Sequence, residues 1–401
     1  MTSAPLPHDS PQLLALLAAM VALGPLTVDM YLPAMPQMMV ALNTDIAHMH
    51  MTLSAYLGGF AVFHLACGPL ADRFGRRPLL IAGTALFVLA SAGCAVADTV
   101  DELFWYRFLQ GVGACVGPTL ARAVVRDVFG ADRAARALSI IAMLMAMAPA
   151  VAPALGGIML LYLPWNSIFV FLALYGDCIM LLVYRYLEET LPVRQSLHPA
   201  RIGRNYVELL LNRYFVAVAV ASSLIYGGLL VYLSSSSFIF ITMFGLPAEY
   251  FGLIFISSVI GYMLGSALSA RLSRQLTSER VMLTGVSLAA ASCAAMWLAH
   301  DLRPDSMLAL IVPMVAYSAA LGLVLPHAMA IALRPFPHIA GTASSLFGFV
   351  QMALSASATA VMGYFLVNSP LPMIQAMFVI TVLALALALQ VNRLASRQLS
   401  A

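Results

Sequence analysis

The chain has 401 residues, 62% of them hydrophobic and only 9% charged, with a net charge of +3. A soluble fold of this size has no interior large enough to hide so much apolar surface, so the composition excludes a soluble enzyme and points to a chain that crosses a membrane many times. All 20 basic residues are Arg, spread over the connections between apolar runs, which leaves no basic face for nucleic acid.

At about 20 apolar residues per crossing, twelve helices are expected, near 12–35, 50–70, 78–97, 102–125, 134–161, 166–187, 212–240, 249–271, 279–299, 306–333, 340–366 and 371–391. The N-terminal residues lack a basic leader region, so the first apolar run is expected to remain as helix one. Arginines concentrate in the even-numbered connections and the C-terminal tail (Arg73, Arg76, Arg77, Arg126, Arg133, Arg136, Arg194, Arg201, Arg204, Arg271, Arg274, Arg280, Arg334, Arg393, Arg397), whereas odd-numbered connections hold only Arg303. The positive-inside bias then places both termini in the cytoplasm. Five cysteines fall inside apolar runs and read as small buried hydrophobes, with no spacing that implies a disulfide framework or a metal site.

Helix one carries Asp29 within Gly24-Pro25-Leu26-Thr27-Val28-Asp29-Met30-Tyr31-Leu32-Pro33. A carboxylate inside an apolar span is expensive and is a functional-site candidate by default. Burial and a neighbouring cation pull on its ionisation in opposite directions, which is what a proton carrier working near neutral pH needs. A helix-packing acid is the alternative.

The turn after helix two reads Gly68-Pro-Leu-Ala-Asp72-Arg73-Phe-Gly75-Arg76-Arg77-Pro78. Four charges in six residues cannot lie in hydrocarbon, so this is a tight cytoplasmic loop, with glycines for the reversal and Pro78 for the first turn of the next helix. Helix four carries Arg107-Phe-Leu-Gln110-Gly111-Val-Gly113-Ala114 and ends on Arg122, Arg126 and Asp127. Residue counting puts Asp29 and Arg107 at similar depth, so they are expected to form a pair whose charge balance changes on protonation. An interfacial arginine snorkelling outward is the alternative.

Helix five contains Pro149, Pro153 and the pair Gly156-Gly157, which free backbone carbonyls and kink the helix. Helix six carries a second intramembrane acid, Asp177, either a cavity residue reading cationic substrates or a hydrogen-bonding partner for a neighbouring helix. Glu188 to Tyr206 is the longest polar stretch and divides the chain into a six-helix bundle at 1–190, a cytoplasmic loop at 191–208 and a second bundle at 209–401. Gly265 to Arg274 faintly echoes the first charged loop at the matching place in the second half, and paired bundles of this kind carry a transport site at their interface. In helix seven, Tyr226, Tyr232 and the run Ser234–Ser237 are cavity candidates, as is Tyr31, although membrane serines more often bond the backbone. His64 and His327 are read as packing residues with a possible proton-relay role. No phosphate-cradling loop accompanies these features, so neither ATP-driven pumping nor any cofactor is implied.

The loop at 68–77 resembles the G-x-L-a-D-r-x-G-r-r motif of the major facilitator superfamily, and Arg107 to Ala114 resembles that superfamily's helix-four motif. Pro153 with Gly156-Gly157 resembles the antiporter motif of helix five, with Ala152 where a Gly is expected. Thr27 to Pro36 is similar to the bicyclomycin/chloramphenicol-resistance (Bcr/CflA) branch of drug:proton antiporters. Arg126-Asp127 and Ala152-Pro-Ala-Leu-Gly156 look like the phenicol exporters.

The resemblance implies an all-α membrane protein of twelve helices in two pseudo-symmetric bundles. It implies a monomer in the bacterial inner membrane that exchanges a small-molecule drug for protons rather than acting as an enzyme. Asp29 and Arg107 would couple protons. Gly68, Asp72, Arg73, Gly75, Arg76 and Arg126 would latch the cytoplasmic side, with Asp72 facing the start of helix eleven near Gly341. Pro153, Gly156 and Gly157 would mark antiport. Import of a small metabolite on the same fold is the rival reading.

Overall fold

The computed structural model describes residues 11–191, 199–366 and 369–399, with backbone alone at 11, 130–136, 138–139, 142–146, 199, 201 and 395–399. Arg194 therefore lies outside the described residues, as do the side chains of Arg133, Arg136, Arg201 and Arg397. Described residues form helices and connections, without a strand among them: α1 (Pro11–Asp29), α2 (Met35–Ala41), α3 (Ile46–Phe74), α4 (Arg76–Ala95), α5 (Val100–Ala114), α6 (Val116–Tyr162), α7 (Ser167–Tyr186), α8 (Pro199–Leu211), α9 (Arg213–Ser237), α10 (Phe251–Leu272), α11 (Ser278–Leu302), α12 (Leu308–Leu333), α13 (Ala340–Phe365) and α14 (Leu371–Leu399).

Helix starts are set by side-chain caps at the ends of the spans. Asp45 accepts from the His48 amide at 2.8 Å at the head of α3. Thr99 serves α5, Asn212 serves α9 and Thr277 serves α11 in the same way. That amide bond is the main reason the Asp45 carboxyl is held below its ordinary value, and the adjacent His48 ring adds to it. Pro33 and Pro36 break helix one into α1, a 3-10 turn at Leu32–Ala34 and α2.

Eleven helices among the described residues are long and apolar enough to cross a membrane, and Met147–Tyr162 is a shorter apolar helix. The expected separate fifth helix at 134–161 is instead the end of the 47-residue α6. Yet α6 cannot run straight. Gly117 lies against the backbone of Met20 and Gly156 against that of Met30. Those two methionines are about 15 Å apart along helix one, whereas a straight helix from 117 to 156 would span about 58 Å. The chain therefore doubles back between Gly117 and Gly156, and α6 supplies two crossings without a loop long enough to interrupt the helical pattern. Twelve crossings result.

Helices α1 to α7 pack on one another through α1–α6, α3–α5 and α4–α7, and α9 to α14 through α11–α12, α10–α12, α9–α13 and α9–α14. The two groups meet along α3–α13 and α6–α10. The expected loop at 191–208 contains α8, whose Leu209 is fully buried and whose Tyr206 hydroxyl donates to the Leu65 carbonyl at 2.9 Å. Ile202, Tyr206 and Leu209 share a face at helical spacing, so the connection lies against α3 rather than hanging free. Burial pushes the Tyr206 hydroxyl up to about 12. Four of the five cysteines are buried as expected, but Cys178 is exposed on the outer side of α7.

Candidate functional site

A cavity of about 530 Å³ lies between the two groups of helices. Its walls are mostly Leu, Phe, Tyr, Val and Met, which suits a drug-sized apolar ligand. Asp29, the last residue of α1, is only 5% exposed and lines this cavity with Tyr56, Tyr226 and Tyr262. Its carboxylate makes no hydrogen bond or ion pair with any described residue.

Arg107 does not pair with Asp29. It is fully buried on the opposite side of helix one, with its guanidinium 4.3 Å from the Tyr31 ring and 4.6 Å from the Tyr56 ring. One terminal nitrogen donates to Gln110 Oε1 at 2.6 Å, the Gln110 amide donates to Ser91 Oγ at 2.8 Å, and Ser91 donates to the Phe87 carbonyl at 2.7 Å. The reason is helical geometry. Residues two apart do not share a helix face, so Asp29 meets the cavity while Tyr31 turns back onto Arg107. Tyr31, bonded through its hydroxyl to Thr52, is thus the floor under Arg107 and not a cavity residue. Gln110 and Ser91 escaped sequence reasoning; the Gln in the helix-four motif was the available signal.

Of the other cavity candidates, only Tyr226 lines the wall. Tyr232 is buried away from it, with no partner for its hydroxyl among the described residues. Asp177 is half-buried on α7, beside the exposed Leu174, Cys178 and Leu181, and so faces outward, away from the cavity. In the serine run of α9, Ser234 and Ser236 bond backward to the Val231 and Leu233 carbonyls, whereas the hydroxyls of Ser235 and Ser237 have no partner among the described residues. A π-helical turn at Phe238–Met243 follows the serine run. His327 is held by Ser269 and Ser273 at 3.0 and 3.2 Å, the packing role expected of it. His64 lines the cavity.

The charged loop folds into an anchor confined to the first group of helices. Arg76, 7% exposed, binds Asp72 at 2.7 Å and Asp127 of α6 at 3.3 Å. Glu189, beyond the end of α7, accepts the Arg76 and Arg77 amides at 2.9 and 3.3 Å and so caps α4. Gly75 has φ +107°, and a Cβ there would strike the Glu189 carboxylate. Asp72 therefore does not reach the start of α13, where no neighbour lies within 4 Å of the Cβ position of Gly341. Arg126 is exposed, and Arg73 lies over the neighbouring Phe74 ring with no other partner among the described residues. Gly68 approaches α13, with Ser345 Oγ 3.7 Å from its Cβ position. Glu189 was read only as part of a polar linker, because its role depends on folding across 113 residues.

At the Asp29 end the two groups are sealed. Gly157 lies against Ala248, and the Cβ of Ala154 would be 2.6 Å from a Cβ on Gly252. Pro153, immediately before Ala154 in sequence, lies within the same helix. His50 of α3 donates from Nδ1 across the seam to the Thr359 carbonyl at 3.2 Å and stacks on Phe238 at 5.8 Å.

Residues 17–360 match the profile of the Major Facilitator Superfamily. The multidrug resistance protein MdtL of Shigella dysenteriae is 32% identical over 342 residues, covering 83% of this chain and 84% of that protein. A bicyclomycin resistance protein homolog of Haemophilus influenzae is 28% identical over 372 residues, covering 90% and 92%. Among solved structures, a peptide transporter (POT) in complex with sulfate superposes with a TM-score of 0.78 at 16% identity, covering 98% of this chain and 97% of that one. At that identity the likeness concerns the fold alone.

Proposed function

The chain belongs to the Major Facilitator Superfamily, and from that premise we propose that it exports small drugs across the bacterial inner membrane in exchange for protons, by alternating access. The observation that most supports this is Asp29: it is the one acid among the described residues lining the central cavity, and nothing described neutralises it. An ionised carboxylate at such a position costs about 2.5–3.5 kcal/mol on insertion scales, so gain or loss of a proton changes which arrangement of the two bundles is favoured. Drug-resistance relatives covering more than four-fifths of the chain support export as the direction.

In this scheme the conformer is sealed at the Asp29 end and receives drug from the arginine-rich, cytoplasmic end. Arg107, held between the Tyr31 and Tyr56 rings, fixes the height of helix one. Gly156, just after Pro153, lets α6 lie against helix one at Met30, and Gly157 lets the bundles close at Ala248 without a side chain between them. The anchor of Asp72, Arg76, Asp127 and Glu189 keeps α3, α4, α6 and α7 moving as a unit. One proton entering under the membrane potential supplies about 2.3 kcal/mol per 100 mV, more than the roughly 1.4 kcal/mol needed for a tenfold drug gradient. The test is addition of a drug panel to acid-loaded inverted vesicles. Export predicts proton release on drug addition; metabolite import or facilitated diffusion predicts none with any drug.

A further inference from the structure

The cavity is charged on one side only. Its three ionisable side chains other than tyrosines, Asp29, His64 and Arg122, all come from the first bundle, whereas the second contributes neutral groups such as Ser344 and Gln351. Their heights follow from the packing. The Tyr31 hydroxyl meets Thr52, and the Tyr56 hydroxyl donates to the Gly24 carbonyl, so α1 runs antiparallel to α3. Arg76, just past the end of α3, binds Asp127, so the first part of α6 runs parallel to α3. Gly117 sits level with Met20. Counting about 1.5 Å per residue from that level, Asp29 and Arg122 stand roughly 20 Å apart along the bundle axis. That is far beyond the roughly 4 Å of an ion pair, so Arg122 is not the counter-ion of Asp29.

Arg122 is held by a single bond, Nε donating to the Pro118 carbonyl at 3.1 Å. Both its terminal nitrogens are without a partner among the described residues, and the side chain is exposed toward the cavity. His64, 7% exposed, lies within electrostatic range of it and has a buried Nδ1 with no partner. The side chains of Gln351 and Ser344 on the facing helix α13 are likewise uncommitted among the described residues. A cation, an imidazole, an amide and a hydroxyl thus line one cavity, with the acid Asp29 at its other end. Of these groups only the His64 Nδ1 is both buried and without a partner among the described residues, which calls for a water or a ligand group beside it. The free guanidinium fork of Arg122 matches a carboxylate.

We propose that Arg122 and His64, faced by Gln351 and Ser344, form an anion subsite that takes the carboxylate of an amphipathic acid whose apolar body fills the cavity. The proposal rests on the efflux reading and names its substrate class as weak acids rather than cations. Because the subsite draws on both bundles, an acid bound there would also bridge them.

The test is equilibrium binding to the full chain in lipid nanodiscs, with no gradient, using naphthylacetate, its methyl ester and naphthylethylammonium. The expected order is acid about tenfold tighter than ester, equivalent to about 1.4 kcal/mol, with the ammonium weakest. R122Q should bring the acid to the level of the ester and leave the ester unchanged, while R122K keeps most of the preference. Gln351→Leu, on the opposite wall, should cost the acid alone about threefold and serves if R122Q does not fold. Equal binding of acid and ester, preference for the ammonium, an equal loss for acid and ester in R122Q, or no binding of any probe overturns the subsite. Proton release on drug addition to vesicles is judged separately, so export can stand when the subsite falls.

Discussion

Replacing Arg107 with Met separates what this residue does for the fold from what it does for transport. The substitution keeps an unbranched side chain of similar reach and removes the guanidinium. Lost are one charge-assisted bond to Gln110, worth about 2 kcal/mol, and two desolvated ring contacts, with Tyr31 at 4.3 Å and Tyr56 at 4.6 Å, worth about 2 kcal/mol each. Set against that is relief from burying an ion with no carboxylate beside it, which recovers several kcal/mol. The balance is a net loss of about 1–3 kcal/mol, or a fall of no more than about 10 °C in the midpoint of thermal unfolding followed by tryptophan fluorescence. Drug uptake into inverted vesicles, normalised to folded protein, should fall at least tenfold, because helix one is no longer fixed beneath the cavity. A collapse of the midpoint with uptake per folded molecule unchanged would refute this reasoning and leave Arg107 as a packing residue.

Other substitutions probe the remaining parts. Gly75→Ala places a Cβ at φ +107° and against the Glu189 carboxylate; a left-handed residue costs about 1–2 kcal/mol, so thermal unfolding should fall by several degrees, and an unchanged midpoint contradicts the cap on α4. His50→Ala removes the bond across the seam to Thr359 and the stack on Phe238. A cysteine placed at Thr359, fully buried at that seam, should then react with a thiol reagent at least threefold faster, and an equal rate contradicts the seal. Asp177→Leu removes an acid that faces outward, so yield and midpoint should hold or rise with uptake unchanged; lost uptake would return Asp177 to the mechanism.

The sequence carried the architecture well, because each crossing needs its own apolar run and each charged turn must reach water. The eleven spans and the bent α6 follow from those two constraints. What sequence spacing could not carry was rotation about each helix axis. Asp29 and Arg107 were matched in depth, yet the two-residue offset between Asp29 and Tyr31 turns one to the cavity and the other to the arginine. Tyr31 and Tyr232 were placed at the cavity, and Asp177 was left open between the cavity and a neighbouring helix, for the same reason, since a polar residue in an apolar helix does not say which neighbour it faces. Glu189 and Asp127 were hidden differently: the amides and guanidinium they serve lie more than fifty residues away in sequence. Gly75, by contrast, was legible from the turn alone, and its positive φ is what a reversal between two helices demands.

The central claim is that the unpaired acid on the cavity wall links drug movement to proton movement. Purified chain in liposomes measures this directly when the same preparation is assayed for drug exchange at equilibrium and for uphill drug accumulation driven by a pH gradient. With Asp29→Asn, exchange should continue at no less than about half the wild-type rate while accumulation against a gradient disappears. An Asn variant that still concentrates drug when a pH gradient is imposed would contradict the account.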